Sequence, residues 1–165
     1  MSEPHHPTDP SGSALAAALG RLPSGLYVVS TRLAGAPIGF VGSFVQQVGF
    51  APPTIMVAIG SGRDHLTGVR ESGRFAVSVL GEGDQALMRP FFKAPATGSA
   101  FDSVQSHTTA RGATVLADAL AWLDCRVTGE HTTGDHVVVF GVVEEAARLK
   151  AGEPLVHVRK NGLGY

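Results

Sequence analysis

Residues 38–63, IGFVGSFVQQVGFAPPTIMVAIGSGR, hold two apolar runs divided by Pro52-Pro53 and carry no charge before Arg63. Segments this apolar and this rich in β-branched residues must be buried, and proline, with its fixed φ and no ladder donor, must end the first of them. The pattern predicts one strand over Ile38–Val48 and a second over Thr54–Ile59. Within the first, Ser43, Gln46 and Gln47 bring uncharged hydrogen-bonding groups into an apolar wall that includes Phe44 and Val45, an arrangement suited to a polar aromatic ring. The second ends in Gly60-Ser61-Gly62-Arg63. Glycines there let backbone N–H groups come close to a ligand, Ser61 adds a hydroxyl, and Arg63 a planar fork for phosphate just ahead of a helix N-terminus. An apolar slot ending in an anion cradle fits a phosphorylated aromatic molecule.

The rest of the chain reads as one domain over residues 13–165, preceded by a polar, mobile arm over residues 1–12. His5-His6 lies in that arm with no further metal ligand nearby, so no metal site is expected. Ser13 is positioned to cap a short helix, Ala14–Leu19, ended by Gly20 and Pro23. Strands are expected at Leu26–Leu33, joined to Ile38–Val48 by the turn Ala34-Gly35-Ala36-Pro37, and at Phe75–Leu80, Leu120–Glu130, His136–Leu149 and Pro154–Val158. Helices are expected at Asp64–Ser72, stopped by Gly73, and at Gly83–Phe92, with Leu87, Met88, Phe91 and Phe92 at helical spacing. The polar stretch Lys93–Ala113 is long for a connection and is expected to lie over a pocket or across a partner subunit. Mostly strand with three short helices, the chain is expected to close into a mainly β, antiparallel barrel.

Composition narrows the function. Net charge is −1, charged residues are 16% and apolar residues 44%, and no Lys/Arg cluster offers the basic face that nucleic acid requires. Low charge in a glycine-rich, apolar chain points to self-association, and a homodimer is expected. The single cysteine, Cys125, cannot form an intrachain disulfide and reads as a buried, inert thiol; Trp122 reads as core or dimer interface. With no membrane-length apolar stretch and a polar start, the protein is expected in the cytoplasm, without membrane contact. Walker, Cys-x-x-Cys and strand-Gly-x-Gly-x-x-Gly-helix motifs are absent, so neither a P-loop nor a Rossmann site is expected.

Several ordered motifs resemble the flavin reductase-like family with its FMN-binding split barrel. The small-Ser-aromatic-x-x-x-Val-x-aromatic-x-Pro-Pro strand is present as Gly42 to Pro53. It is followed by the Arg-bearing loop and helix, Gly73-Arg74-Phe75, Leu120 to Cys125, Gly134-Asp135-His136, Gly141-Val142-Val143 and Pro154-Leu155. The likeness is strongest to flavin reductase domains fused to oxygen-reducing flavodiiron proteins. One departure is Gly49, where many members carry Ser. The resemblance implies a Greek-key-like split barrel binding FMN, with FAD as the alternative, and a hydride from NAD(P)H to flavin N5. Electrons would pass onward to a monooxygenase or another acceptor protein.

For the site, the residues and the resemblance together name Ser43, Phe44, Val45, Gln46, Gln47, Ser61, Gly62, Arg63, Phe92 and Lys93 as flavin-binding, and His136 as the candidate catalytic group. His136 has two readings of equal weight. It can orient the nicotinamide or supply a proton near neutral pH, or it can simply tie a hairpin through Asp135. Phe91, Phe92 and Lys93 could close the pocket, with helix core the simpler reading for the two aromatics. In relatives, the chain end around His157 and Tyr165 approaches the flavin. A flavin-binding carrier without NAD(P)H turnover is the second functional reading. A barrel for haem, with His136 as axial ligand, is the third.

Overall fold

The computed structural model describes residues 12–164; the arm, with His5 and His6, and Tyr165 lie outside the described residues, Gly12 excepted. In chain order the elements are α1 (Ser13–Leu19), β1 (Ser24–Gly25), β2 (Tyr27–Leu33), β3 (Ala36–Gly42), β4 (Val45–Phe50), β5 (Pro53–Gly60), α2 (Asp64–Ser72), β6 (Arg74–Val79) and α3 (Gln85–Met88). Then come 3₁₀ turns at Arg89–Phe91 and Ala100–Ser103, β7 (Ser106–Thr108), β8 (Thr114–Leu116), β9 (Ala121–Thr133), β10 (His136–Arg148) and β11 (Val156–His157).

Seven strands form one antiparallel sheet in the order β3-β2-β6-β9-β10-β5-β4. Its two edges, β3 and β4, are consecutive in the chain and joined only by Ser43 and Phe44, so the sheet curls back on itself and is split along that seam. Two-residue periodicity sorts the side chains. Val29, Phe75, Val77, Val57, Ile59, Val137 and Val139 fill the barrel, joined by Leu66 and Val69 from one face of α2. Their neighbours Val28 and Ala76 point the other way into two smaller clusters, with Met88, Phe91, Phe101 and Leu116 or with Val115 and Trp122. Strands β2 and β6 are thus covered on both faces, and four consecutive residues of each are buried, Val28 to Thr31 and Phe75 to Ser78. Gly141 marks the tightest point in the barrel: a Cβ there would stand 2.6 Å from the Phe75 ring.

On the outer face, Arg74 grips the fully buried Asp124 through two guanidinium nitrogens at 2.6 and 3.1 Å, and Thr109 Oγ1 donates to the other carboxylate oxygen at 2.6 Å. Glu144 gathers Arg74, Arg111 and Arg126, and these hydrogen bonds and charges hold its carboxyl down to about 2. Cys125 is buried and its thiol is pushed up to about 12, chiefly by desolvation, as an inert core thiol should be.

Several boundaries differ from expectation. The strand expected over Ile38–Val48 is two strands, because the chain must cross from one sheet edge to the other at Ser43-Phe44. Ser13 does not cap α1; Gly12 occupies the cap position and no side-chain cap bond forms. The helix expected over Gly83–Phe92 shrinks to four α-helical residues before tightening into a 3₁₀ turn at Arg89-Pro90, where proline lacks the N–H that would continue the α ladder. The stretch 93–113 is not featureless: it holds a 3₁₀ turn with a Ser99/Asp102 capping box and one strand of the β7–β8 ribbon.

Candidate functional site

Outside the barrel, on the side where the seam, the start of β10 and the chain end converge, lies a cavity of about 750 Å³. At the seam Gly42 ends β3, and Phe44 O accepts a hydrogen bond from Ala58 N at 3.0 Å, which pins the Ser43-Phe44 link against β5. Ser43 is 4% exposed and lines the cavity, yet its Oγ has no hydrogen-bond partner among the described residues. A desolvated hydroxyl without a partner is costly, and of the buried unpartnered side-chain polar atoms among the described residues Ser43 Oγ is the one that belongs to a lining residue.

The Phe44 ring is the centre of a polar-aromatic stack. The Arg159 guanidinium lies over it, 4.8 Å from the ring centroid, and the His136 ring meets it edge-on at 5.7 Å. His136 opens β10 opposite Gly60. Its Nδ1 is 2.9 Å from Asp135 Oδ1, and this bond holds the Asp135 carboxyl below its ordinary range. With Nδ1–H donating to the carboxylate, the neutral imidazole keeps Nε2 as a free acceptor. His136 thus ties to Asp135 and also lines the cavity.

On the β5 side, Gly60 O accepts from Arg63 N at 3.0 Å, closing a tight turn, and the Arg63 stem runs close along Gly60. Its guanidinium lies 5.6 Å from the Phe40 ring centroid, on the cavity wall. The backbone cradle expected at Ser61 and Gly62 is not what the turn offers: Ser61 N donates to Asp135 O at 2.9 Å, locking the turn to the β9–β10 hairpin, and both residues are exposed outside the lining.

Of the residues named from sequence, Ser43, Phe44, Arg63, Phe92 and His136 therefore converge on one cavity. Val45 does not: one residue beyond Phe44, strand alternation turns it into the barrel core with Ile55 and Val57. Gln46 and Gln47 are exposed on β4, their side-chain amides donating to the Gln47 and Gly49 carbonyls. Lys93 is exposed outside the lining, whereas its neighbour Phe92, 67% exposed, contributes to the wall. Gly49 is also outside the lining, and a Cβ there would stand 3.2 Å from Pro52 O, so the β4–β5 bulge favours the smaller residue.

Sequence reasoning missed Phe40, Met88, Arg159, Lys160 and Asn161, all on the cavity wall. The last three belong to the segment after β11, which β1 and α1 hold in place. Ser24 pairs with His157, Arg21 Nη2 donates to Arg159 O at 3.2 Å, and Gly162 N donates to Ala16 O at 2.8 Å. The available signal was the basic pair Arg159-Lys160 directly after a strand. The finished lining holds Arg63, Arg159 and Lys160 and not one Asp or Glu, although the whole chain carries −1.

Fold and cavity together define a split-barrel protein with an apolar, aromatic, anion-receptive pocket. A family profile described as flavin reductase like domain matches residues 19–162, and the chain belongs to that family. It is 36% identical over 150 residues to putative diflavin flavoprotein A 3 of Synechocystis, covering 90% of this chain and 25% of that one; the chain spans about a quarter of the length of such relatives. It is 31% identical over 140 residues to the FMN reductase (NADH) RutF 1 of Methylorubrum extorquens, covering 85% of this chain and 70% of that one. Among solved structures, nitrilotriacetate monooxygenase component B from Mycobacterium thermoresistibile superposes with a TM-score of 0.83 at 25% identity, covering 91% of this chain and 84% of that one.

Proposed function

We propose that the 750 Å³ cavity is the flavin site of an NAD(P)H:flavin reductase, formed by residues 13–165 as a single domain. The observation that carries this reading is the lining itself: among the described residues, aromatic and aliphatic walls, three cations, two imidazoles and no Asp or Glu side chain. A flavin mononucleotide needs an apolar slot for its ring, a hydrogen-bonding group at the ring's polar edge and a cation for its phosphate. Phe44 and Phe92 supply the slot, the unpartnered Ser43 hydroxyl meets the edge, and Arg63 meets the phosphate. FMN is the preferred flavin, with FAD as the alternative. Val45, in the barrel core, and Gln46, Gln47, Ser61, Gly62 and Lys93, outside the lining, are not part of this set.

Bound flavin supplies the redox chemistry, accepting a hydride at N5 and releasing electrons one or two at a time. The protein positions and excludes. Phe44, held between Arg159 and His136, fixes one wall, and His136, its Nδ1–H directed to Asp135, presents Nε2 where it can accept a hydrogen bond from the nicotinamide carboxamide.

Further parts of the proposal rest on surface and kinship. The exposed edge strand β4, with Phe50 90% and Val48 49% exposed, supports a homodimer. The RutF and monooxygenase-component relatives support NADH as donor and a monooxygenase as electron acceptor. Among the described residues no helix is long and apolar enough to cross a membrane, and we place the protein in the cytoplasm. The test is titration of FMN and of riboflavin into wild type and Arg63→Gln. Loss of the fork should raise the Kd for FMN about tenfold and leave riboflavin within twofold. Absence of saturable flavin binding to wild type would refute the site.

A further inference from the structure

The cavity has two cationic poles, and a single terminal phosphate accounts for only one. Arg63 stands on the β5–α2 turn against Phe40; Arg159 stands on the chain end against Phe44, with Lys160 next to it in the lining. Of the ten other Lys and Arg side chains, five (Arg70, Arg74, Arg111, Arg126 and Lys150) are ion-paired and two (Arg21 and Arg32) donate to carbonyls, while Arg89, Lys93 and Arg148 lie outside the cavity lining. Among the described residues, neither carboxylate nor carbonyl accepts from the side chains of Arg63, Arg159 or Lys160.

We propose that Arg159 and Lys160 form a diphosphate-recognising pole, distinct from the Arg63 phosphate anchor, that selects dinucleotides over mononucleotides. This rests on the reading of the cavity as the flavin site. The ligand chemistry is a diphosphate, which NAD(P)H as donor and FAD as acceptor both carry and FMN lacks. Three features fit the pole for this task. Its guanidinium is oriented by the Phe44 face, which leaves the N–H edge free for two phosphate oxygens. Its backbone is fixed from outside the barrel: Arg21 grips the Arg159 carbonyl, and α1 packs so closely that a Cβ on Gly20 would lie 2.7 Å from that carbonyl and one on Gly162 2.2 Å from Leu19. Among the described residues the lining also brings no Asp or Glu to the pole, so an incoming diphosphate displaces no carboxylate partner among them. Because Arg159 touches Phe44, and Phe44 touches His136, a diphosphate drawn to this pole brings its attached ring to the wall where the flavin lies.

The experiment compares wild type, the double variant Arg159→Gln/Lys160→Gln, and Arg159→Lys. Two ratios are read: kcat/KM for NADH over that for reduced nicotinamide mononucleotide, with FMN as acceptor, and the affinity for FAD over that for FMN, by quenching of flavin fluorescence. A fall of about tenfold in the first ratio in the double variant, with Arg159→Lys keeping only part of it because an ammonium cannot reproduce the stacked, two-pronged fork, assigns the pole to the donor's diphosphate. The same fall in the second ratio assigns it to the diphosphate of FAD. Either outcome supports the proposal. Both ratios within twofold of wild type, including the case in which FMN and FAD affinity fall in step and the donor ratio does not move, would overturn it while leaving the flavin site intact. Failure of wild type to bind any flavin would remove the underlying reading as well.

Discussion

Replacing Ser43 by alanine should change stability and binding in opposite directions, a combination that a purely structural serine would not give. The side chain is 4% exposed, and its hydroxyl finds no partner among the described residues. A buried hydroxyl left unpaired costs about 1–3 kcal/mol, while the alanine methyl group occupies nearly the same space without that penalty. Taking the lower end of that range, Ser43→Ala should stabilise the flavin-free protein by about 1 kcal/mol. For a chain of 165 residues that is roughly 2–4 °C in Tm. Flavin binding should weaken by about tenfold, since the variant loses both the new hydrogen bond and the relief of the orphaned hydroxyl. Paired thermal melts with and without FMN at one concentration test both halves at once: the flavin-free curve moves up and the ligand-induced shift shrinks. A lower flavin-free Tm with unchanged FMN affinity would refute the assignment of this hydroxyl to the ligand.

Two further perturbations probe the scaffold. Asp124→Asn removes the charge that Arg74 grips inside the protein. Because Arg74 is partly exposed and keeps Glu144, the cost should be about 2–3 kcal/mol, read as a drop of roughly 5–10 °C in Tm, with FMN affinity unchanged because Asp124 is outside the cavity lining. His65, whose Nε2 bonds Gly39 O and whose ring packs edge-on against Phe40, has its pKa lowered chiefly by burial. The unfolded chain therefore takes up this proton first as pH falls, so the stability that neutral His65 contributes is present above about pH 6.5 and is lost as pH drops from there toward the lowered folded value. Tm measured from pH 5 to pH 7.5 should fall more steeply on the acid side for wild type than for His65→Asn; identical profiles would contradict it.

The fold was legible where one physical signal dominated. Helix Asp64–Ser72 was delimited to the residue, because an acidic start, Leu66 and Val69 on one face and Gly73 in the left-handed conformation all agree. The long β9 and β10 strands were legible from their apolar alternation and the Gly134-Asp135 turn. The break at Ser43-Phe44 was not, because its cause is non-local: the two flanking strands sit at opposite edges of the sheet, and nothing in an apolar run marks that crossing. The same limit explains the site. Ser43, Phe44, Arg63, Phe92 and His136 carry chemistry that local context exposes and line the cavity, whereas Val45, named with them, packs into the barrel core because strand alternation resumes after the seam. Arg159 and Lys160 reach the cavity only because β1 and α1 clamp the chain end, a contact between residues about 140 positions apart that spacing cannot reveal.

The most direct test of the central claim is anaerobic mixing of the FMN-loaded protein with NADH and, separately, with NADPH, following the long-wavelength absorption band of oxidised flavin. The account predicts that at least one nucleotide bleaches the band anaerobically, and that with free FMN supplied and oxygen readmitted the band returns while that nucleotide is consumed over many turnovers. A bound flavin that neither nucleotide reduces would contradict it and would leave the protein a flavin carrier.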